Sequence, residues 1–134
     1  MFRVAHLVCA AEVAAVREIL PRPTATRVPG AAPAVVGLIN VRGALITLLD
    51  GRRALGLSDT PGTGTVILLD LASRTVGLAV DEVLDLITTS ADDLAQREDL
   101  PGIDARLVRA IGRRADVTYV LLDFDALLGP ILTS

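Results

Sequence analysis

At 134 residues the chain suits one compact domain, and 51% apolar residues with a mean hydropathy of +0.55 exclude intrinsic disorder. All 13 basic residues are arginine against 16 acidic ones, and the net charge of −3 excludes the basic footprint that nucleic acid binding requires. It offers no attraction to anionic membranes either, and with aromatics at 2% the core must come from Leu, Val, Ile and Ala.

Apolar runs are short and bounded by turn residues, the pattern of strands. Phe2–Ala5 and Leu7–Ala11 read as the first strands of a cytoplasmic domain, because the run is too short for a secretory leader. Cys9, the one cysteine, cannot form an internal disulfide and fits a reducing compartment. Val16–Leu20 is a further extended piece, and Pro21, Pro23, Pro29, Gly30 and Pro33 make the next stretch a surface connection. The longest charge-free stretch, Val28–Val41, is too short and too interrupted to cross a membrane, so no membrane insertion is expected. Val35–Val41 reads as a buried strand, turned by Arg42-Gly43 into Leu45–Leu49. Asp50 then caps a short helix over Arg52–Leu55, stopped by Gly56.

Ser58–Gly64 is the clearest loop in the chain. Thr65–Leu69 and Thr75–Val80 form a hairpin around Asp70–Arg74, and the second strand is expected to extend as far as Ile87. Ser90 with Asp93 resembles a helix-start box for Ala91–Gln96. Glu98–Asp104 is a second loop. Arg106–Ile111 and Val117–Leu122 form another hairpin, followed by a short helix over Asp125–Leu128.

One internal similarity runs through this order. Leu48-Leu49-Asp50 with Leu55-Gly56 recurs as Leu121-Leu122-Asp123 with Leu128-Gly129, at a constant offset of 73 residues. The same offset sets Val35 on Val108 and Leu38 on Ile111. Strand-to-helix junctions resemble one another in general, which is the plainer reading. The favoured reading is two similar β lobes, each closing its own edges and sharing apolar surface with the other.

No catalytic constellation emerges. His6 is the one histidine, so neither a Ser-His-Asp triad nor a two-histidine metal site can be assembled. Cys9 lies in an apolar run and reads as a small core residue. Asp50, Asp70, Asp81, Glu82, Asp85, Asp92, Asp93, Asp123 and Asp125 sit mostly at strand ends, where Asp caps turns and helices. Asp123-Phe124-Asp125 is too short for a calcium loop. Pro61-Gly62-Thr63-Gly64-Thr65 lacks the lysine of a phosphate-binding loop and precedes a strand, so it reads as a connection. No catalytic residue, cofactor or metal is therefore expected. A surplus of aliphatic residues remains that a domain of this size cannot hide, which points to protein–protein contact.

The run Val36-Gly37-Leu38-Ile39-Asn40-Val41-Arg42-Gly43, with Leu49-Asp50 and Leu55-Gly56 behind it, resembles the CheW-like domain of bacterial chemotaxis coupling proteins. Val16-Arg17-Glu18-Ile19 and Arg27-Val28-Pro29 resemble elements that precede that run in the family. Val76-Gly77-Leu78-Ala79-Val80-Asp81-Glu82-Val83 and Leu121-Leu122-Asp123 with Leu127-Leu128 resemble elements that follow it. The ordered set covers nearly the whole chain. Thr47 stands where the family usually has Pro, and Gly51 where it has Leu; the first strand is abbreviated and little follows Leu128.

The resemblance implies an all-β fold: a single CheW-like domain over residues 1–134, made of two packed five-stranded SH3-like β barrels with short helical turns. It implies a non-enzymatic adaptor that couples the cytoplasmic tip of a chemoreceptor to the regulatory domain of a CheA-type histidine kinase. An alternative is a divergent modulator that binds one of these partners or serves a non-flagellar chemosensory system. A small enzyme or ligand-binding barrel would instead show a deep polar pocket. By the same resemblance Val16, Glu18, Ile19, Gly37, Asn40 and Arg42 form or shape the receptor-tip surface. Glu18 and Arg42 are expected to pair, fixing the guanidinium fork for a second acceptor on the partner.

Overall fold

The segment Thr65–Asp70 is apolar at four consecutive positions, and the fold uses both of its faces: Val66 and Leu68 enter one core, Ile67 and Leu69 another. A strand buried on both sides has no polar alternation to show, which is why it reads as a continuous apolar run. The structure, a computed structural model, describes residues 1–5, 7–11, 15–57, 64–71, 74–84, 94–95, 107–114 and 117–133. In chain order the strands are β1 (Phe2–Val4), β2 (Leu7–Ala10), β3 (Val16–Pro21), β4 (Val35–Val41) and β5 (Ala44–Asp50). After helix α1 (Gly51–Ala54) come β6 (Thr65–Asp70), β7 (Thr75–Val80), β8 (Glu82–Val83), β9 (Leu94–Ala95), β10 (Val108–Arg114), β11 (Val117–Leu122) and helix α2 (Phe124–Thr133).

Two sheets result, ordered β3-β6-β7-β5-β4 and β8-β1-β2-β11-β10-β9. They share one plan. In each, a hairpin (β4–β5 or β10–β11) joins a second hairpin (β6–β7 or β1–β2) through a parallel contact, β5 on β7 and β11 on β2. The N-terminal hairpin thus completes the sheet built by the C-terminal one. The 73-residue offset is carried down to single pairs: Val35 faces Leu49 as Val108 faces Leu122, and both hairpins slip register immediately afterwards, before Gly37 and before Ala110. The amide of Asp50 donates to the Ala34 carbonyl at 2.8 Å, and that of Asp123 to the Leu107 carbonyl at 2.9 Å. Thr26 bridges Leu38 where Ala95 bridges Ile111.

The larger core lies where the sheets meet, drawing Phe2, Val4 and Cys9 from one side and Leu49, Ile67 and Leu78 from the other. Leu122, Phe124 and Leu128 close it. The smaller core, Ile39, Ile46, Leu48, Val66, Leu68 and Ala79, belongs to the β3–β7 sheet alone. Leu48 and Leu49, neighbours in sequence, therefore serve different cores. Between the sheets Arg52 of α1 grips Asp81 with Nε at 3.1 Å from both carboxylate oxygens and Nη2 at 2.8 Å from Oδ1, and the Ala5 amide donates to the same carboxylate.

Several expectations need correction. The strand beginning at Thr75 ends at Val80 instead of continuing toward Ile87, because Asp81 bonds the Arg3 carbonyl and Glu82–Val83 cross to β1 in the other sheet. Within the expected helix Ala91–Gln96, Leu94–Ala95 is a strand on β10; the rest of that segment, its Ser90 start and the Glu98–Asp104 loop lie outside the described residues. So do His6 and most of Ser58–Gly64. The last helix is longer than Asp125–Leu128, running from Phe124 to Thr133 through Pro130. Pro130 has no N–H to give the Ala126 carbonyl, and burial of Phe124, Leu127 and Leu128 anchors the helix before it. Asp50 precedes α1 but makes no side-chain cap bond. Gly56 does end α1, at φ 70°: its amide donates to the Arg53 carbonyl at 3.1 Å and the Leu57 amide to the Arg52 carbonyl at 2.9 Å, a Schellman closure. Gly51 stands where a side chain would meet the Ala79 carbonyl and Val4, so this packing has no room for the family's Leu.

Candidate protein-binding surface

The β4–β5 turn is a two-residue loop in which Arg42 and Gly43 both have positive φ, 51° and 87°. That pairing matches the right-handed twist of the flanking strands. Gly43 adopts it freely, whereas Arg42 pays a side-chain penalty there. The Asn40 Oδ1 accepts the Gly43 amide at 2.9 Å and braces the loop.

Strand β3 and strand β4 are the two outer strands of their sheet. Glu18 projects from β3, and Arg42 leaves the end of β4. Arg42 Nη1 donates to Glu18 Oε1 at 2.6 Å and Nη2 to Oε2 at 2.8 Å, a fork-on-fork contact that ties one sheet edge to the other. The expected pair is therefore present. The hydrogen bond from Arg42 holds the Glu18 carboxyl below its ordinary range, and the bond to Glu18 raises Arg42. The Arg42 side chain is nevertheless 74% exposed. A guanidinium has five N–H donors, and this pair engages one on each Nη nitrogen, leaving three for other acceptors.

The remaining sequence-derived candidates divide. Ile19 is 47% exposed beside Glu18. Its row across the sheet, Ile67, Leu78 and Leu49, runs into the larger core, so Ile19 is the exposed end of that apolar line. Val16 packs against the same core. Gly37 is buried, and a Cβ there would lie 2.2 Å from the Thr26 carbonyl oxygen. Its absence of side chain lets the β3–β4 connection close on β4, which shapes the lobe without offering a contact. Leu45, 70% exposed and opposite Asn40, was not singled out by sequence. In Leu45-Ile46-Thr47-Leu48-Leu49 nothing distinguishes the outward leucine from the buried ones.

Among the described residues no cluster of His, Cys, Asp and Glu could hold a metal ion. Cys9 is fully buried, and desolvation pushes its thiol up to about 12, far from a reactive thiolate. Among those residues no helix is long and apolar enough to cross a membrane.

Residues 1–130 match the family model described as CheW-like domain. A chemotaxis protein CheW of Rhizobium meliloti is 37% identical over 101 residues, covering 74% of this chain and 65% of that protein, so the match spans just under two thirds of the relative. A probable chemotaxis protein CheW of Rhizobium etli is 30% identical over 133 residues, covering 94% of this chain and 83% of that protein. The crystal structure of the scaffolding protein TtCheW from Thermoanaerobacter tengcongensis superposes with a TM-score of 0.85 at 21% identity, covering 95% of this chain and 84% of that one. The fold is accordingly two SH3-like β subdomains.

Proposed function

The chain belongs to the CheW-like domain family, and from that premise we propose that it is a non-enzymatic chemotaxis coupling adaptor joining a chemoreceptor's cytoplasmic tip to the regulatory domain of a CheA-type histidine kinase. Residues 1–134 act as one two-lobed unit, and the larger core shared by both sheets supports that reading. The adaptor works in the cytoplasm, where both partners' signalling surfaces lie.

The observation that carries the proposal is the Glu18–Arg42 clasp. It holds an exposed guanidinium in one orientation, so a partner acceptor meets a fork already ordered and less side-chain entropy is lost on binding. Ile19 and Leu45 supply exposed apolar surface on the same sheet, while Asn40 and Gly37 set the shape of the lobe. Val16 belongs to the surface through the core beneath it. Arg42→Ala is expected to weaken capture of an isolated receptor tip roughly tenfold or more, a size typical of a truncated interface arginine, with an unchanged circular dichroism spectrum. Capture of the kinase regulatory domain, assayed separately, reports the other arm. Undiminished receptor binding by folded Arg42→Ala overturns the site, and binding of the wild-type chain to neither partner overturns the adaptor.

A further inference from the structure

The start of β4, at the opposite end from Arg42, carries a second concentration of charge. The β3–β4 connection and the β5–α1 junction enclose a groove of about 620 Å³ lined by Arg22, Arg27 and Arg53, with Val35 and Val36 along it and Asp50 at its base. A second hollow of about 340 Å³ adjoins it through Arg27, Val35, Val36 and Arg53. Asp50 is 1% exposed, and its Oδ2 lies 3.8 Å from Arg53 Nε. Arg53 Nη1 also donates to the Pro33 carbonyl at 3.4 Å, so this guanidinium is positioned from two sides. Arg27 is exposed and makes no ion pair with any carboxylate among the described residues. The lining thus holds three arginines against one aspartate, in a chain whose net charge is −3. Two other surface arginines do meet carboxylates, in Arg3–Glu82 and Arg17–Asp70.

We propose that this groove docks an acidic segment of a protein partner, whose carboxylates meet Arg27 and Arg53 and whose apolar side chain rests on Val35 and Val36. The open shape and mixed lining suit an extended peptide, and the charge excess selects acidic over basic sequence. The inference deepens the adaptor reading by supplying a second, distinct surface. β4 runs from Val35 to Val41, which places the groove and the Glu18–Arg42 clasp about 20 Å apart at about 3.3 Å per residue. Two partners can therefore be held at once.

Fluorescence anisotropy of the full chain with a short fluorescein-labelled peptide rich in Glu and Val, beside a Lys/Val control, tests the groove. The acidic peptide is expected to bind and the control not. Arg27→Glu should weaken binding roughly tenfold by charge reversal, and Arg53→Gln by a smaller factor. Arg74→Glu, an exposed arginine outside the groove, should leave the affinity unchanged. Arg27 has no internal ion pair among the described residues, so Arg27→Glu should fold, and an unchanged thermal midpoint verifies it. Wild-type affinity in Arg27→Glu, equal loss in Arg74→Glu, or equal binding of the basic peptide overturns the proposal. So does Arg27-dependent binding to phosphatidylglycerol vesicles without peptide binding, which would make the groove a lipid site. Receptor and kinase capture in the same variants separates failure of the groove from failure of the adaptor reading.

Discussion

The β4–β5–α1 and β10–β11–α2 segments have the same strand register, the same slip after the first pair and the same backbone bond into the following helix, yet their side chains do different work. In the first, Ile39 faces Ile46 across the hairpin; in the second, the equivalent pair is Gly112 and Tyr119. A Cβ on Gly112 would lie 2.1 Å from the Tyr119 ring, so the glycine makes space for the one tyrosine, which is 1% exposed. Asp123 caps its helix through the Ala126 amide at 3.1 Å, and that helix buries Phe124 and Leu128. Asp50 at the matching position caps nothing with its side chain and instead faces Arg53. One backbone plan thus serves packing in the second segment and surface chemistry in the first.

That contrast can be broken by substitution. Leu48→Ala and Leu49→Ala should each cost about 3 kcal/mol in denaturant unfolding, since both leucines are fully buried. They face different cores, so the double variant should be additive to about 0.5 kcal/mol. Strong coupling would mean the two cores act as one. Gly37→Ala should cost about 2 kcal/mol, because the new methyl collides with the Thr26 carbonyl. The second segment already has alanine at the matching register position, Ala110. Asp123→Ala should lose about 1 kcal/mol through the cap, a loss that Asp50→Ala has no cap bond to reproduce.

Much of this was legible in sequence, for local reasons. Val35–Val41 falls between turn residues and matches the observed strand residue for residue, and the strand from Thr75 is found where expected except that it stops at Val80. The repeat was legible because the buried leucines and the aspartate at each strand end occupy equivalent places in both segments. What escaped depends on distant partners. Glu82–Val83 is a strand only because Phe2 and Arg3 lie beside it, and Leu94–Ala95 only because Ile111 and Gly112 do. Two-residue strands carry no periodicity of their own. At the surface, Glu18 and Arg42 were marked by the family resemblance and the turn. Arg22, Arg27 and Arg53 were scattered residues in an all-arginine composition until the β3–β4 connection folded over the β5–α1 junction.

The smallest expected effect contrasts two clasps. Glu18–Arg42 ties the edges of one sheet at the surface, whereas Asp81–Arg52 joins the two sheets. At Asp81 burial opposes ionisation most strongly, but the hydrogen bond from Arg52, the Ala5 amide and the charges of Arg52 and Arg3 outweigh it and hold the carboxyl below its ordinary value. Both carboxyls are therefore lower when folded than their ordinary values of 4.5 for Glu and 3.8 for Asp. The stability they confer is present above those values and is lost as pH falls through the folded ones, because the unfolded chain takes up protons first. Glu18→Gln and Asp81→Asn should each lower stability at pH 7 and flatten its decline in acid, so that the variant and wild-type curves converge at the lowest pH. Asp81→Asn should flatten it more, since that carboxylate is 10% exposed and serves Arg52 and Ala5 together, while Glu18 is 30% exposed and serves Arg42. Chemical denaturation across an acid series reads both slopes; a larger change in Glu18→Gln would place the stronger clasp at the sheet edge instead of between the sheets.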